Sequence, residues 1–225
     1  MKIFFLSLVL AGKTCSLFAQ SSDSLTLLNE ANSKLKNGTS VSSILTDKKY
    51  LPIHPATAFR DEVKENCNTD ILKITTTEEP GKKIKVLASV TDKEGKAIAN
   101  ALVYLYQTDS KGWYAADAPH VLSYGGDVRH ARLFGYVRAN AKGQFELHTV
   151  KPSGYPNSDL PAHIHVHVWA DGYNNFVNEF LFDDDDRLKG KIREQSVRNQ
   201  FIISKPEKTV APFDQQFSYK IILEK

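Results

Sequence analysis

Cysteine is scarce in this chain: Cys15 and Cys67 permit at most one bridge in 225 residues, which excludes a disulfide scaffold. An excess of charge of either sign is also missing. Lys and Arg number 29 against 26 Asp and Glu, a formal charge of +3, and the basic residues are scattered singly or in pairs, so the footprint of a nucleic-acid partner is lacking. No apolar run reaches the roughly 18 to 20 residues that span a bilayer. The sequence contains no GxGxxG, no P-loop and no G-x-S-x-G, so nucleotide binding and hydrolase-elbow chemistry have no motif to rest on. Internal repeats and low-complexity tracts are absent as well. What is present is a 41% hydrophobic, 10% aromatic composition, enough to bury a sizeable core and to argue against disorder.

The N-terminus reads as a secretory signal peptide. Lys2 precedes the apolar run from Ile3 to Ala11, Lys13 interrupts its extension, and Ala19 stands before the polar stretch Gln20-Ser21-Ser22-Asp23. Cleavage after Ala19 and export to the periplasm or the exterior are the expectation. Cys15 follows Lys13-Thr14 and does not fit a lipoprotein site. The mature chain of 206 residues carries 27 basic and 26 acidic residues and keeps Cys67 alone, so its stability must come from its core.

Beyond that segment, Leu25, Leu28, Ala31 and Leu35 repeat at helical spacing, predicting a helix over 25–36 that stops at Asn37-Gly38. Residues 39–80 carry Pro52, Pro55 and Pro80 and show no sustained period; they read as an extended arm with one strand at 71–75. From Gly81 onward the period is two. Strands are expected near 84–90, 101–107, 133–139, 144–150, 162–170, 176–182, 199–204 and 216–223, with Asp92-Lys93-Glu94-Gly95 as a turn and helical structure only at 187–198. The reading is an all-β chain, a β-sandwich or barrel over 81–225 preceded by a short helical and extended arm over 20–80.

Three of the seven histidines fall in Pro161-Ala162-His163-Ile164-His165-Val166-His167-Val168-Trp169. Alternation makes this a strand, with His163, His165 and His167 on one face and Ile164, Val166 and Val168 on the other. Two imidazoles at i and i+2 can converge on one metal ion. Taken alone, the pair is compatible with zinc, copper, iron or a plain solvated sheet face. Two tyrosines sharpen it: Tyr155 in Lys151-Pro152-Ser153-Gly154-Tyr155, eight residues before His163, and Tyr114 closing Gly112-Trp113-Tyr114 just after a strand.

In this order and spacing the chain resembles the intradiol ring-cleavage dioxygenases, the family of catechol 1,2-dioxygenase and protocatechuate 3,4-dioxygenase. That family shows a strand followed by G-x-Y, a strand running into P-x-x-Y, and then R-P-A-H-I-H. Here Leu102-Val103-Tyr104-Leu105-Tyr106-Gln107, Gly112-Trp113-Tyr114, the segment from Gly143 to Tyr155, and Leu160-Pro161-Ala162-His163-Ile164-His165 match in turn, over about residues 84–185. The resemblance implies a prealbumin-like sandwich in which Tyr114, Tyr155, His163 and His165 bind Fe(III). Two phenolates and a hydroxide suit a hard trivalent cation. In the family the catechol binds as a dianion, displacing hydroxide and the tyrosinate that matches Tyr155, and O2 then cleaves the ring to a muconate-type diacid. A small aromatic diol and O2 are thus the implied partners.

Two departures from the family bear on activity. Leu160 stands where the family has arginine, and Glu179 where it has glutamine, both expected at the substrate pocket. Arg129, Arg132 and Arg138 are candidates to supply the missing charge. These departures also motivate an alternative, a noncatalytic secreted sandwich that binds iron, catechol-type ligands or glycans. His167 matches no ligand position and reads as a polar neighbour on the same strand face. His130 and His148 read as ordinary strand-side polar residues. The run Asp183-Asp184-Asp185-Asp186 reads as a solvated loop.

Overall fold

The computed structural model describes residues 22–114 and 131–225. The signal-peptide segment with Cys15, and Gly125, Gly126, Arg129 and His130, lie outside the described residues. Helix α1 (Ser22–Lys36) is followed by α2 (Val41–Leu45), a 3-10 turn (Lys48–Ile53) and α3 (Thr57–Glu65). The strands are β1 (Ile71–Lys73), β2 (Lys83–Thr91), β3 (Leu102–Gln107), β4 (Leu133–Arg138), β5 (Gln144–Val150), β6 (His163–Trp169) and β7 (Phe176–Phe182); α4 (Gly190–Arg198) then precedes β8 (Ile202–Ser204) and β9 (Gln215–Ile222). They form a four-stranded sheet, β1-β5-β2-β9, and a five-stranded sheet, β4-β3-β6-β7-β8, which is the β-sandwich expected from the period-two pattern.

The alternation in sequence is the alternation in burial. Along β2, Ile84, Val86, Ala88 and Val90 point into the sandwich while their neighbours are half-covered, and Ile164, Val166 and Val168 of β6 meet them fully buried from the other sheet. Burying such an aliphatic side chain contributes about 1.5–3 kcal/mol, so this double row carries much of the fold. β3 departs from alternation because its outer face is covered too: Tyr104 and Tyr106 are buried along with Val103 and Leu105.

Between residues 41 and 65 the chain forms three short helical segments where extended chain is expected from the sequence. Ser40 accepts a hydrogen bond from the Ser43 amide and caps α2, and Asp47 accepts from the Lys49 amide to start the 3-10 turn. Val41, Ile44 and Leu45, then Tyr50 and Ile53, then Phe59 and Val63 are buried at helical spacing, but each segment is only five to nine residues long. Such runs are too short to display a period, and they are helical because they pack on the sandwich, α3 against β4 of the five-stranded sheet and α2 against β1 of the four-stranded one. Phe59 lies edge-on to Phe134 of β4 at 6.4 Å. The strand expected at 71–75 is β1, which pairs parallel with β5. The turn at 92–95 forms as expected: the Asp92 carboxylate accepts from the Lys96 amide at 2.8 Å, and Gly95 takes φ of +82°, the left-handed region where a side chain is strained.

Candidate metal centre

His163 and His165 project from the outer face of β6, where same-face Cα atoms lie about 7 Å apart. Their rings turn perpendicular, 86° between planes, and bring the two Nε2 atoms to 3.2 Å. Tyr114 and Tyr155 reach the same point from two loops laced together by hydrogen bonds. Thr108 Oγ1 donates to the Ser153 carbonyl at 2.7 Å, and the Ser153 amide donates to the Asp109 carbonyl at 3.0 Å. The Asp109 carboxylate accepts from the amides of Lys111 and Trp113 and so closes the turn that delivers Tyr114. Glycine lets the loops touch: Gly112 has φ of +86°, and a Cβ there would stand 2.4 Å from the Gly154 carbonyl oxygen.

The result is a ring of four donor atoms. Tyr114 Oη lies 2.6 Å from Tyr155 Oη and 2.9 Å from His165 Nε2, and Tyr155 Oη lies 3.2 Å from His163 Nε2. Ligands about 2.0–2.2 Å from a shared ion, at angles near a right angle, sit about 3 Å apart. The proton inventory favours a cation as well. His163 Nδ1 lies 2.8 Å from the Pro161 carbonyl, which fixes the tautomer with Nδ1–H donating outward and Nε2 bare. His165 Nδ1 faces Glu179 Oε1 at 3.6 Å, and its Nε2 edge turns to the Tyr114 phenol and to His163. The four atoms converge as oxygen and nitrogen lone-pair donors, the set that one metal ion takes up.

The electrostatics agree. Burial pushes the Tyr114 phenol far above its usual range, and the neighbouring Tyr155 phenol pushes it further. Tyr155 is raised by burial too. Two phenolates side by side in this position require a cation. Burial also raises the Glu179 carboxyl, partly offset by His163. Glu179 completes a second possible ligand group with His163 and His165, their atoms within 4.8 Å of one another, but it approaches His165 at Nδ1 rather than at the Nε2 edge where the phenols meet.

His167 stands apart from this ring, edge-on to Tyr104 at 5.9 Å, and its pKa is lowered by burial. His148 is on the other sheet, 3.0 Å from Glu146. Leu160 is 48% exposed at the lip of a cleft of about 210 Å³ that Tyr155, His163, Glu179 and α4 also line. Arg132 is held in a fork by Glu79, and Arg138 bonds the Asn100 carbonyl, so neither is brought to the cleft. The acidic run is not simply solvated. Asp183 pairs with Arg193, Asp184 with Lys151 and Gln215, and Asp186, almost fully exposed, with Lys189. Asp185 accepts from the Ala162 amide, one residue before His163, and from the Arg187 amide. Arg187 in turn donates to the carbonyls of Tyr155 and Leu160, at 3.0 and 3.2 Å. This clamp escapes a reading of the sequence because its partners are main-chain atoms. Tyr106, stacked on His165 at 4.4 Å, was accessible through its period-two pairing with Tyr104.

A family model described as Dioxygenase matches residues 56–225, well over half of the chain. The chain belongs to the intradiol dioxygenase family. Curated members similar to it include chlorocatechol 1,2-dioxygenase of Rhodococcus opacus, 27% identical over 49% of this chain and 48% of that protein, and the protocatechuate 3,4-dioxygenase beta chain of Burkholderia cepacia, 30% identical over 48% of each. The chain thus spans about half the length of these relatives. Among solved structures, mercury-inhibited catechol 1,2-dioxygenase from Acinetobacter sp. ADP1 superposes with a TM-score of 0.56 at 16% identity, covering 70% of this chain and 58% of that one. The dioxygenase domain of a carbohydrate-binding fusion from Streptomyces sp. SirexAA-E gives 0.51 at 19% identity, over 70% of this chain and 89% of that one. These structures show the shared intradiol dioxygenase fold. Among the described residues, no helix is long and apolar enough to cross a membrane.

Proposed function

We propose that this chain holds one ferric ion between Tyr114, Tyr155, His163 and His165 and cleaves a catechol-type ring with O2. The observation that carries the reading is the four-atom ring of phenol oxygens and imidazole nitrogens, with contacts from 2.6 to 3.2 Å. Bound ferric iron would supply the Lewis acidity that holds both diol oxygens as anions. The residues divide the remaining work. His163 and His165 are neutral ligands locked by strand β6. Tyr114, 3% exposed, is the permanent anionic ligand. Of the two phenols, Tyr155 is the one that lines the cleft, so its oxygen would accept a proton from a diol bound there. The diol and O2 together contain every atom of the muconate-type diacid: one carbon–carbon bond and the O–O bond break, each bond-breaking carbon gains an oxygen, and the ring supplies the electrons.

A cleft of about 210 Å³ suits a single ring, since about 150 Å³ accommodates benzene. The signal-like segment ending at Ala19 supports an exported setting for this chemistry. The test is the visible spectrum of the purified protein. About one iron per chain and a red-brown tyrosinate-to-iron band that shifts on anaerobic addition of catechol are expected, with Tyr155→Phe weakening the band while leaving the chain folded. A colourless protein that cannot be reconstituted with iron would overturn the reading, and binding without oxygen uptake would remove the catalytic half of it.

A further inference from the structure

The acidic run that follows β7 has no part in the proposed reaction, yet the turn it opens stands beside one of the two phenols. That turn is firmly seated. Leu188 is buried, its amide donates to the Asp185 carbonyl at 3.0 Å, and the Asp185 Oδ1 atom accepts from the Arg187 amide at 2.7 Å. From this base the turn grips a second segment at three points. Arg187 Nη1 donates to the Tyr155 carbonyl at 3.0 Å and to the Leu160 carbonyl at 3.2 Å, and Asp185 Oδ2 accepts from the Ala162 amide at 3.0 Å. Residues 151–162 contain no helix or strand, so the segment that carries Tyr155 into β6 has no ladder of its own to hold it. One guanidinium therefore ties both ends of the loop 155–160. The approach is close, since a Cβ at Gly154 would run into the Leu160 carbonyl oxygen and the Arg187 guanidinium. An arginine suits this place because its N–H directions are fixed and its charge strengthens each bond. The two phenols thus differ in how they are held. Tyr114 is buried, at the end of a turn closed by Asp109, and its carbonyl accepts from the Arg132 amide at 2.7 Å. Tyr155 lines the cleft, and its main chain is held by a side chain 32 residues further on.

We propose that Arg187 is a positioning residue for Tyr155: it fixes the main chain of the 155–160 loop, so that the phenol can leave the ring of donor atoms and return by turning its side chain alone. The proposal rests on the function proposed above, because it takes Tyr155 as a metal ligand that gives way to a diol. A ligand atom has to sit within about 0.5 Å of its productive position, and a phenol oxygen at the end of a long side chain amplifies any shift of its own backbone. The bonds Arg187 makes to this loop are to main-chain atoms, so it acts through Tyr155 rather than on the reacting groups.

The test reads iron binding and the visible spectrum of the full chain, so turnover is not involved. Arg187→Met removes the donors but keeps most of the stem, and Arg187→Lys returns one cationic donor. Arg187→Met is expected to lose about tenfold in affinity for ferric iron, measured by competition with a chelator, and to weaken the tyrosinate-to-iron band, with Arg187→Lys recovering part of both. In a Tyr155→Phe background the same Arg187→Met change is expected to cost less than about threefold, because the ligand it positions is gone. A role in general stability would cost the same in both backgrounds, and that result overturns the proposal. So does an Arg187→Met protein that keeps the parent's affinity and band. Amide exchange in the metal-free proteins gives a readout independent of iron: the Leu160 and Ala162 amides should exchange faster in Arg187→Met while β2 stays protected, and unchanged exchange there overturns the brace itself. If Arg187→Met does not fold, Arg187→Lys carries the same comparison in both backgrounds. A parent protein that takes up no iron defeats the proposed function and the positioning role with it, an outcome told apart from the others by measuring the parent alone.

Discussion

His54 is 1% exposed, stacked on Phe59 at 5.3 Å and edge-on to Phe134, with Nδ1 donating to the Arg132 carbonyl at 3.0 Å and Nε2 buried without a partner. Burial and two nearby guanidinium groups hold its pKa at about 4, against an ordinary 6.5. A depressed histidine pKa means that the unfolded chain takes up the proton first as pH falls. The stabilisation from keeping His54 neutral is therefore complete above pH 6.5 and is lost on acidification through pH 4. The two and a half units of separation, at about 1.4 kcal/mol each, set a full loss of about 3 kcal/mol, of which about 2 kcal/mol is gone by pH 5. Urea unfolding at pH 7 and pH 5 should show this loss in the parent protein and a flatter profile in His54→Phe, which keeps the aromatic contacts. Parallel profiles for the two proteins would show that His54 is not the group responsible. Nothing in the sequence distinguishes this histidine, because its environment is made by residues five to eighty positions away. His163 and His165 were legible for the opposite reason: a period of two fixes their common face within five residues. Tyr114 and Tyr155 were legible only by their spacing to that pair, since a tyrosine at a sandwich edge is otherwise ordinary.

At the level of elements, strands β5 and β7 coincide with their expected spans, because each is a self-contained alternating run between turn residues. The helices of residues 41–65 were not legible, because their apolar positions make sense only against the sheet they cover. Arg60 is the fastening. It is 3% exposed, its guanidinium lies 3.5 Å over the Phe134 ring, and it donates to the carbonyls of His54 and Ala131 and to the Tyr104 hydroxyl. One cation thus ties α3, the 3-10 turn, β3 and the start of β4. Arg60→Met keeps most of the bulk but leaves those acceptors without their donor, at about 1–3 kcal/mol for each unsatisfied group before relaxation. The expected loss is about 3 kcal/mol in chemical denaturation, with faster amide exchange concentrated in α3 and the 3-10 turn rather than in β2 or β6. Uniform loss of protection across both sheets would instead mean that the helices have no stability separable from the sandwich. The clamp of Asp185 and Arg187 is the corresponding device on the site side, holding the β6 entrance and the Tyr155 loop through main-chain atoms.

For the molecule as a whole, the four-residue ring joins three separate pieces of chain: the loop ending at Tyr114, the loop carrying Tyr155, and strand β6. Without a cation, this junction is held by hydrogen bonds among two phenols with raised pKa values and two imidazoles, and the interleaved loops are tied by Thr108, Ser153 and the Asp109 turn. A metal ion that binds the folded chain and not the unfolded one stabilises it by RT ln(1 + [L]/Kd), about 2.7 kcal/mol at a hundredfold excess over Kd. For a chain of this length each kcal/mol moves the midpoint by about 2–4 °C, so for the ferric site proposed above, treatment with a chelator should lower Tm by about 5–10 °C, and ferric iron should restore it. The same treatment applied to Tyr155→Phe should produce a smaller shift, and to His163→Ala almost none, because a three-ligand site missing its locked imidazole loses both affinity and the link to β6. A Tm drop of equal size in all three proteins would assign the metal dependence to some other part of the molecule.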